Sequence, residues 1–175
     1  TTYKISFTFL ALALLVFTTT NSRTIGILFL FAILHELVHL IFIYRFSVAP
    51  KKVEFTLFGA NISRGLAVTN NINSEIIINL SAPVFNIVTG AFFYLFSNFD
   101  MEFNKIFSEI VEVNFVLGLF NLIPFHTFDG GNVLKNILLK YISEETTEQA
   151  MTWISLTVTV AFSFVSIVVS GCSVR

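Results

Sequence analysis

The chain has 175 residues, 55% of them apolar and only 12% charged, with a formal net charge of −1 and a mean hydropathy of +0.82. Ordinary soluble domains carry about 45–50% apolar and about 25% charged residues. There is too little polar surface here to solvate a globule, so the composition specifies an integral membrane protein. No basic stripe marks a nucleic-acid partner, and the single cysteine, Cys172, excludes an internal disulfide.

Taken in chain order, the first apolar stretch covers about residues 4–20. Lys4 precedes a mostly apolar run without a small-x-small cleavage site, which predicts a retained signal-anchor span. A second span is expected over 25–46. The alternating Val53-Glu54-Phe55-Thr56-Leu57-Phe58 then reads as a strand, with a turn at Phe58-Gly59-Ala60-Asn61 and a return strand over 62–68. Further spans are expected at 76–98, 108–123 and 150–170, each near the ~20 apolar residues that a bilayer core demands. Residues 131–142 are amphipathic and too short to cross. The predicted fold class is an all-α polytopic membrane protein of about five transmembrane helices, with a small β-hairpin region between the second and third spans. Residues 1–175 form one membrane-embedded domain. Lys4, Arg45, Lys51, Lys52, Arg64, Lys135 and Lys140 collect on one side of this layout, against Arg23, Lys105 and Arg175 on the other. The positive-inside rule therefore predicts a cytoplasmic N-terminus.

His35-Glu36-Leu37-Val38-His39 reads H-E-x-x-H inside the second span. Histidines at i and i+4 lie one turn apart on one helix face, so both imidazoles can reach a single metal ion. A glutamate beside the first histidine is placed to take a proton from a water that the metal activates. The bland reading, a chance pattern of ordinary histidines, weakens in a membrane. A charged side chain near the centre of a span costs at least ~2.5 kcal/mol and is normally functional. Zinc sites of this kind need a third protein ligand and an open fourth position. Candidates are Glu54, Glu75, Asp100, Glu102, Glu109, Glu112, His126 and Asp129. Asp129 stands out because it follows Pro124 in Asn121-Leu122-Ile123-Pro124-Phe125-His126-Thr127-Phe128-Asp129-Gly130-Gly131. Irregular backbone at membrane depth is tolerated where it lines a cavity, and the two glycines permit close approach. Along the third span, Asn79, Pro83, Asn86 and Gly90 recur at helical spacing as a small, polar face. Pro83 lacks an N–H and frees the Asn79 carbonyl. Asn114, Gly118 and Asn121 form a similar stripe on the fourth span, where packing is the better reading for Asn114 and Gly118.

The H-E-L-V-H motif, followed by Asn121-Leu122-Ile123-Pro124 and Phe128-Asp129-Gly130-Gly131, resembles the site-2 protease family of intramembrane zinc metalloproteases. Phe58-Gly59-Ala60 resembles the family's Phe-Gly-small motif, and Ala82-Pro83-Val84-Phe85-Asn86 its small-Pro-x-x-Asn. The match covers about residues 25–142 and is similar to the compact bacterial branch that includes the sporulation pro-sigma-factor protease. Thr127-Phe128 departs from the common Pro-Leu before the Asp-Gly. The resemblance implies one zinc on His35, His39 and Asp129, with Glu36 as general base. The exposed edge at Val53 to Gly59, with Phe58 and Gly59 as substrate-binding residues, is expected on strand-addition grounds to take an unwound substrate segment, and by the resemblance Asn86 would bind substrate or the oxyanion. It implies hydrolysis of a peptide bond in or near the transmembrane segment of a membrane-embedded protein or peptide. A separate regulatory membrane protein is a further expected partner. The expected location is a bacterial cell membrane, with the active site nearer the cytoplasm. The alternative is a catalytically idle relative that acts as a membrane-helix-binding or scaffold protein; the intact Glu36 argues against it.

Overall fold

The computed structural model describes residues 2–5, 23–46, 52–56, 59–63, 71–96 and 104–172, with side chains described within 23–46, 71–96 and 105–168. Most of residues 4–20, Phe58, Arg64, Asp100, Glu102 and the chain after Cys172 lie outside them. Among the described residues five helices carry the fold: α1 (Arg23–Phe46), α2 (Ile72–Phe96), α3 (Asn104–Asn121), α4 (Asp129–Leu138) and α5 (Glu144–Cys172). Three short backbone strands, β1 (Thr2–Ile5), β2 (Lys52–Thr56) and β3 (Gly59–Ser63), run in the order β1-β2-β3. β1 lies parallel to β2, and β2 antiparallel to β3 with Thr56 opposite Gly59. The outer edges of this sheet are therefore β1 and β3, so β2 (Lys52–Thr56), which holds most of the edge expected at Val53 to Gly59, is the central strand.

Three of the described helices, Arg23–Phe46, Ile72–Phe96 and Glu144–Val168, are long and apolar enough to cross a membrane. At ~1.5 Å rise per residue, 24 residues span about 36 Å, more than the ~30 Å hydrocarbon core. α3 has 18 residues and includes Lys105, Glu109 and Glu112, so its composition alone does not mark it as a span. The helix boundaries follow local chemistry that hydropathy does not read. α2 starts at Ile72, ahead of residue 76, because the Asn71 side-chain oxygen accepts the Asn73 N–H at 3.0 Å. α5 starts at Glu144, ahead of residue 150. There the Ser143 carbonyl accepts the Thr147 N–H at 2.9 Å, and Glu144 and Glu145 sit at the positive end of the helix.

α2 is the hub and packs against α1, α3 and α4, while α1 also meets α3 and α5 leans chiefly on α4. The polarity of a soluble core is inverted. Leu30, Ile33, Leu37, Ile41 and Tyr44 form an exposed apolar stripe along α1, whereas His35 and His39 face inward. Asn79, Asn86, Asn114 and Thr147 are buried as well. A solvent of lipid tails explains that distribution: apolar side chains face out at no cost, and polar groups turn in to find partners.

Candidate metal centre

One helical turn separates His35 from His39 on the inward face of α1, only 5% and 7% exposed. Their rings stand edge-on, with centroids 4.9 Å apart. Asp129 comes from the other end of the chain and opens α4, where a carboxylate in the first turn is favoured by the helix dipole. Its placement depends on the two glycines that follow. A Cβ on Gly130 would lie 2.1 Å from the Leu122 carbonyl oxygen, and one on Gly131 would lie 1.9 Å from that of Phe125. The loop after α3 is therefore pressed onto the start of α4, and only glycine admits that approach. Pro124 ends α3 by denying its successor turn an N–H and by disfavouring helix at the preceding residue.

Asp129 Oδ2 lies 3.1 Å from Nε2 of His35 and 3.1 Å from Nε2 of His39. One ligand atom from each of the three residues fits within 4.8 Å of the others. The far side of each imidazole determines what those atoms are. His39 Nδ1 is 3.0 Å from the Ile78 backbone carbonyl, which can only accept, so that nitrogen carries the proton. His35 Nδ1 donates to Asn86 Oδ1 at 2.6 Å. Neutral rings protonated at Nδ1 have bare lone pairs at Nε2, and both lone pairs face a carboxylate. Three acceptors converging without a donor are stable when they share a cation, and two imidazoles plus a carboxylate are a zinc donor set. Ligand atoms ~2.0–2.1 Å from a tetrahedral centre lie about 3.3 Å apart, close to the spacing found here. The residues fit a metal.

The remaining candidates sit elsewhere. Arg23 grips Glu109, with Nε 3.0 Å from Oε2. Glu112 is exposed, Glu75 lies at the start of α2, and His126 faces Glu148 at 3.4 Å. Asn79 donates to the Glu75 carbonyl of its own helix at 2.8 Å, away from the trio. Glu36 is half-buried beside His35 on α1. Asn86 is fully buried, its amide held between His35 and Asn114. Gly59 opens β3. Two participants are missing from the sequence reading. Asn114 continues the hydrogen-bond path behind Asn86, and the carbonyl that orients His39 belongs to Ile78 rather than to Asn79, the one Pro83 frees. The stripe Asn114-Gly118-Asn121 was the available signal for the first; nothing local signals the second.

A core of helices suited to a membrane, enclosing two histidines and a carboxylate at metal-ligand spacing, defines the class as a membrane protein with a candidate metal site. The comparisons agree with that class. Residues 97–166, which include Asp129 but not the histidines, match the model of peptidase family M50. A zinc metalloprotease of Methanocaldococcus jannaschii is 30% identical over 119 residues, 65% of this chain. The match spans 34% of that protein, so this chain corresponds to about a third of its curated relative. The site-2 protease from Methanocaldococcus jannaschii shares the fold, with a TM-score of 0.64 over 99% of this chain and 82% of that one, at 23% identity. In sequence the chain is thus similar to peptidase family M50 over residues 97–166, and in fold to a site-2 protease.

Proposed function

We propose that this chain is an intramembrane zinc metalloprotease that hydrolyses a peptide bond in or beside the transmembrane segment of a membrane-protein substrate. The observation that carries the reading is the convergence of His35 Nε2, His39 Nε2 and Asp129 Oδ2, with both Nδ1 atoms committed to acceptors behind them. His35, His39 and Asp129 would hold one zinc ion. Zinc bound there would supply Lewis-acid chemistry, lowering the pKa of water toward ~7 and polarising a carbonyl. Glu36, on the same turn as His35, takes a proton from the attacking water and returns it to the leaving amine. Asn86 is proposed to hold His35 rather than to meet the oxyanion, because its amide is already spent between His35 and Asn114.

A helical substrate hides its carbonyls in i to i+4 bonds and must unwind before cleavage. We propose that residues 52–63 receive the unwound segment as an added strand along the outer edge of β3, with Gly59 at its start and Phe58 beside it. The proposed domain is the whole membrane-embedded unit, with a core over about 25–142, about five spans and a cytoplasmic N-terminus. Two cross-links support the alternation of the helices. Arg23 pairs with Glu109, joining the starts of α1 and α3, and Lys140 donates to Asn73 at 2.6 Å, joining the chain after α4 to the start of α2. Arg45 and Lys140 then fall on one side, consistent with positive-inside. His39, seven residues before Phe46, lies about 10 Å from that end of α1, nearer the cytoplasm. A bacterial cell membrane and a separate regulatory protein complete the proposal.

The test is zinc content of detergent-purified protein by elemental analysis. About one zinc per chain is expected, lost in His35→Ala and in Asp129→Ala and kept in Glu112→Ala. A folded wild type that holds no zinc and cannot be loaded sinks the reading and favours the idle relative. Zinc that survives Asp129→Ala alone overturns the choice of third ligand.

A further inference from the structure

We propose that Asn114 is a positioning residue that fixes, from a different helix, which nitrogen of His35 is bare. It touches neither the three convergent donors nor the space between them. It acts through Asn86.

Asn114 is fully buried, and its Nδ2 lies 2.9 Å from the Ile110 backbone carbonyl. A carbonyl can only accept, so the amide of Asn114 is locked with its nitrogen toward Ile110 and its oxygen toward α2. That oxygen can only accept as well, and Asn86 Nδ2 donates to it at 2.9 Å. The Asn86 oxygen is thereby turned toward His35, 2.6 Å from Nδ1, and demands a proton there. Reversing the Asn114 amide would set oxygen against the Ile110 carbonyl, and reversing that of Asn86 would set oxygen against the Asn114 oxygen, each a costly mismatch between fully buried groups. Polarity therefore runs one way, from the imidazole through two amides to a backbone carbonyl.

The helices are built close enough for the path to connect. A Cβ on Gly118, one turn beyond Asn114, would lie 3.0 Å from the Pro83 carbonyl oxygen and 3.3 Å from Asn86 Cβ. The two histidines differ in this respect. His39 leans directly on the Ile78 carbonyl and needs no side chain to set its tautomer. His35 depends on two, and the second is Asn114.

The proposal rests on the metal reading only for its affinity arm. Asn114→Thr is the sharpest variant, because its hydroxyl can bond the i−4 carbonyl as Thr152, Thr157 and Thr159 do here, while no longer reaching Asn86. Freed from Asn114, the Asn86 amide can turn its nitrogen toward His35 and move the proton to Nε2. Zinc affinity, read by chelator competition, should then fall about 10–100-fold, the usual effect of losing an outer-shell partner. In an Asn86→Leu background the same substitution should cost nothing further, since the path is already cut. Equal losses in both backgrounds, or no loss in either, overturn the proposal. A second arm needs no metal. In ¹⁵N-histidine-labelled, metal-free protein at alkaline pH, His35 should be protonated at Nδ1 in the wild type and shift toward Nε2 in Asn114→Thr, with His39 unchanged. The same His35 tautomer in both proteins overturns the proposal even where zinc binds. A wild type without zinc affinity but with the tautomer switch would fail the metal reading and leave this one standing. Should Asn114→Thr not fold, Asn114→Leu carries both arms.

Discussion

Helices α2 and α5 are both long and apolar, 25 and 29 residues, and both carry polar side chains along their length. They treat those side chains in opposite ways. In α2, Asn86 reaches out to His35 and Asn114, and the Ile78 carbonyl reaches His39. In α5, Thr152, Thr157, Thr159 and Ser163 each bond the carbonyl four residues back in their own helix. The apolar window of α2 is 28% buried and that of α5 only 6%. Polar residues in a membrane helix thus mark a site only when their hydrogen bonds leave the helix. α1, α2, α3 and the start of α4 build the candidate metal centre as one packed layer, whereas α5 is seated chiefly by its first turns and further along shares only an open apolar cleft with the end of α3 and the loop after it. Thr147 and Met151 are buried, but Trp153, Val160, Phe164 and Ile167 are more than half exposed.

If the inner layer holds the chemistry, the largest effect should come from a change there that leaves the layer intact. Glu36→Gln is expected to lower cleavage of a reconstituted membrane substrate by about 10²–10⁴-fold, the usual scale for a general base. Zinc content should be unchanged, which separates proton transfer from metal binding. Cleavage within threefold of wild type would remove Glu36 from the mechanism. Next in size is the packing that seats Asp129. Gly131→Ala puts a methyl against the Phe125 carbonyl, and overpacking of this kind costs about 1–3 kcal/mol or more. A lower midpoint in thermal unfolding and a weakened zinc affinity are expected together. The same added bulk on the exposed face of α5, Ala161→Val, should change stability by no more than about 0.5 kcal/mol. Comparable losses at the two positions would erase the distinction between the regions.

How much of this was legible in the sequence follows from the range of each interaction. The helix pair α1 and α2 and the H-E-x-x-H face depend on apolar length and on i, i+4 spacing, so they can be read locally. Asp129 was legible as a candidate because Pro124 and Gly130-Gly131 interrupt an apolar run, although residues 129–131 turn out to begin a helix rather than a loop. Gly-Gly reads as a breaker; its use here, admitting two carbonyls, exists only after α3 and α4 meet. The early start of α5 was written in Ser143, Glu144 and Glu145, whose capping role hydropathy hides under the appearance of an acidic linker. Asn114 read as packing because its destination depends on the register between α2 and α3. The contact of His39 with the Ile78 carbonyl has the same origin: Pro83 predicts a freed acceptor at Asn79, but which carbonyl faces His39 is decided by how α1 lies across α2.

The smallest expected effect probes the seat of α5 itself. Glu148, its carboxylate about 41% exposed, pairs with Lys135 of α4 and lies 3.4 Å from His126 Nε2. The His126 backbone N–H also donates to Ser155 Oγ at 3.0 Å. These contacts clasp the first turns of α5 to α4 through Lys135 and to the segment before Asp129 through His126. Exposed ion pairs contribute little to stability, so Glu148→Gln should leave the midpoint of thermal unfolding nearly unchanged. Its effect should be local: faster hydrogen exchange over the first turns of α5, with protection of α1, α2 and α3 unchanged and zinc affinity equal to wild type. The opposite pattern, zinc affinity falling in step with loosening of α5, would mean that the clasp tensions the Asp129 loop. In that case α5 belongs to the machinery of the site, and the separation between the two regions fails where they touch.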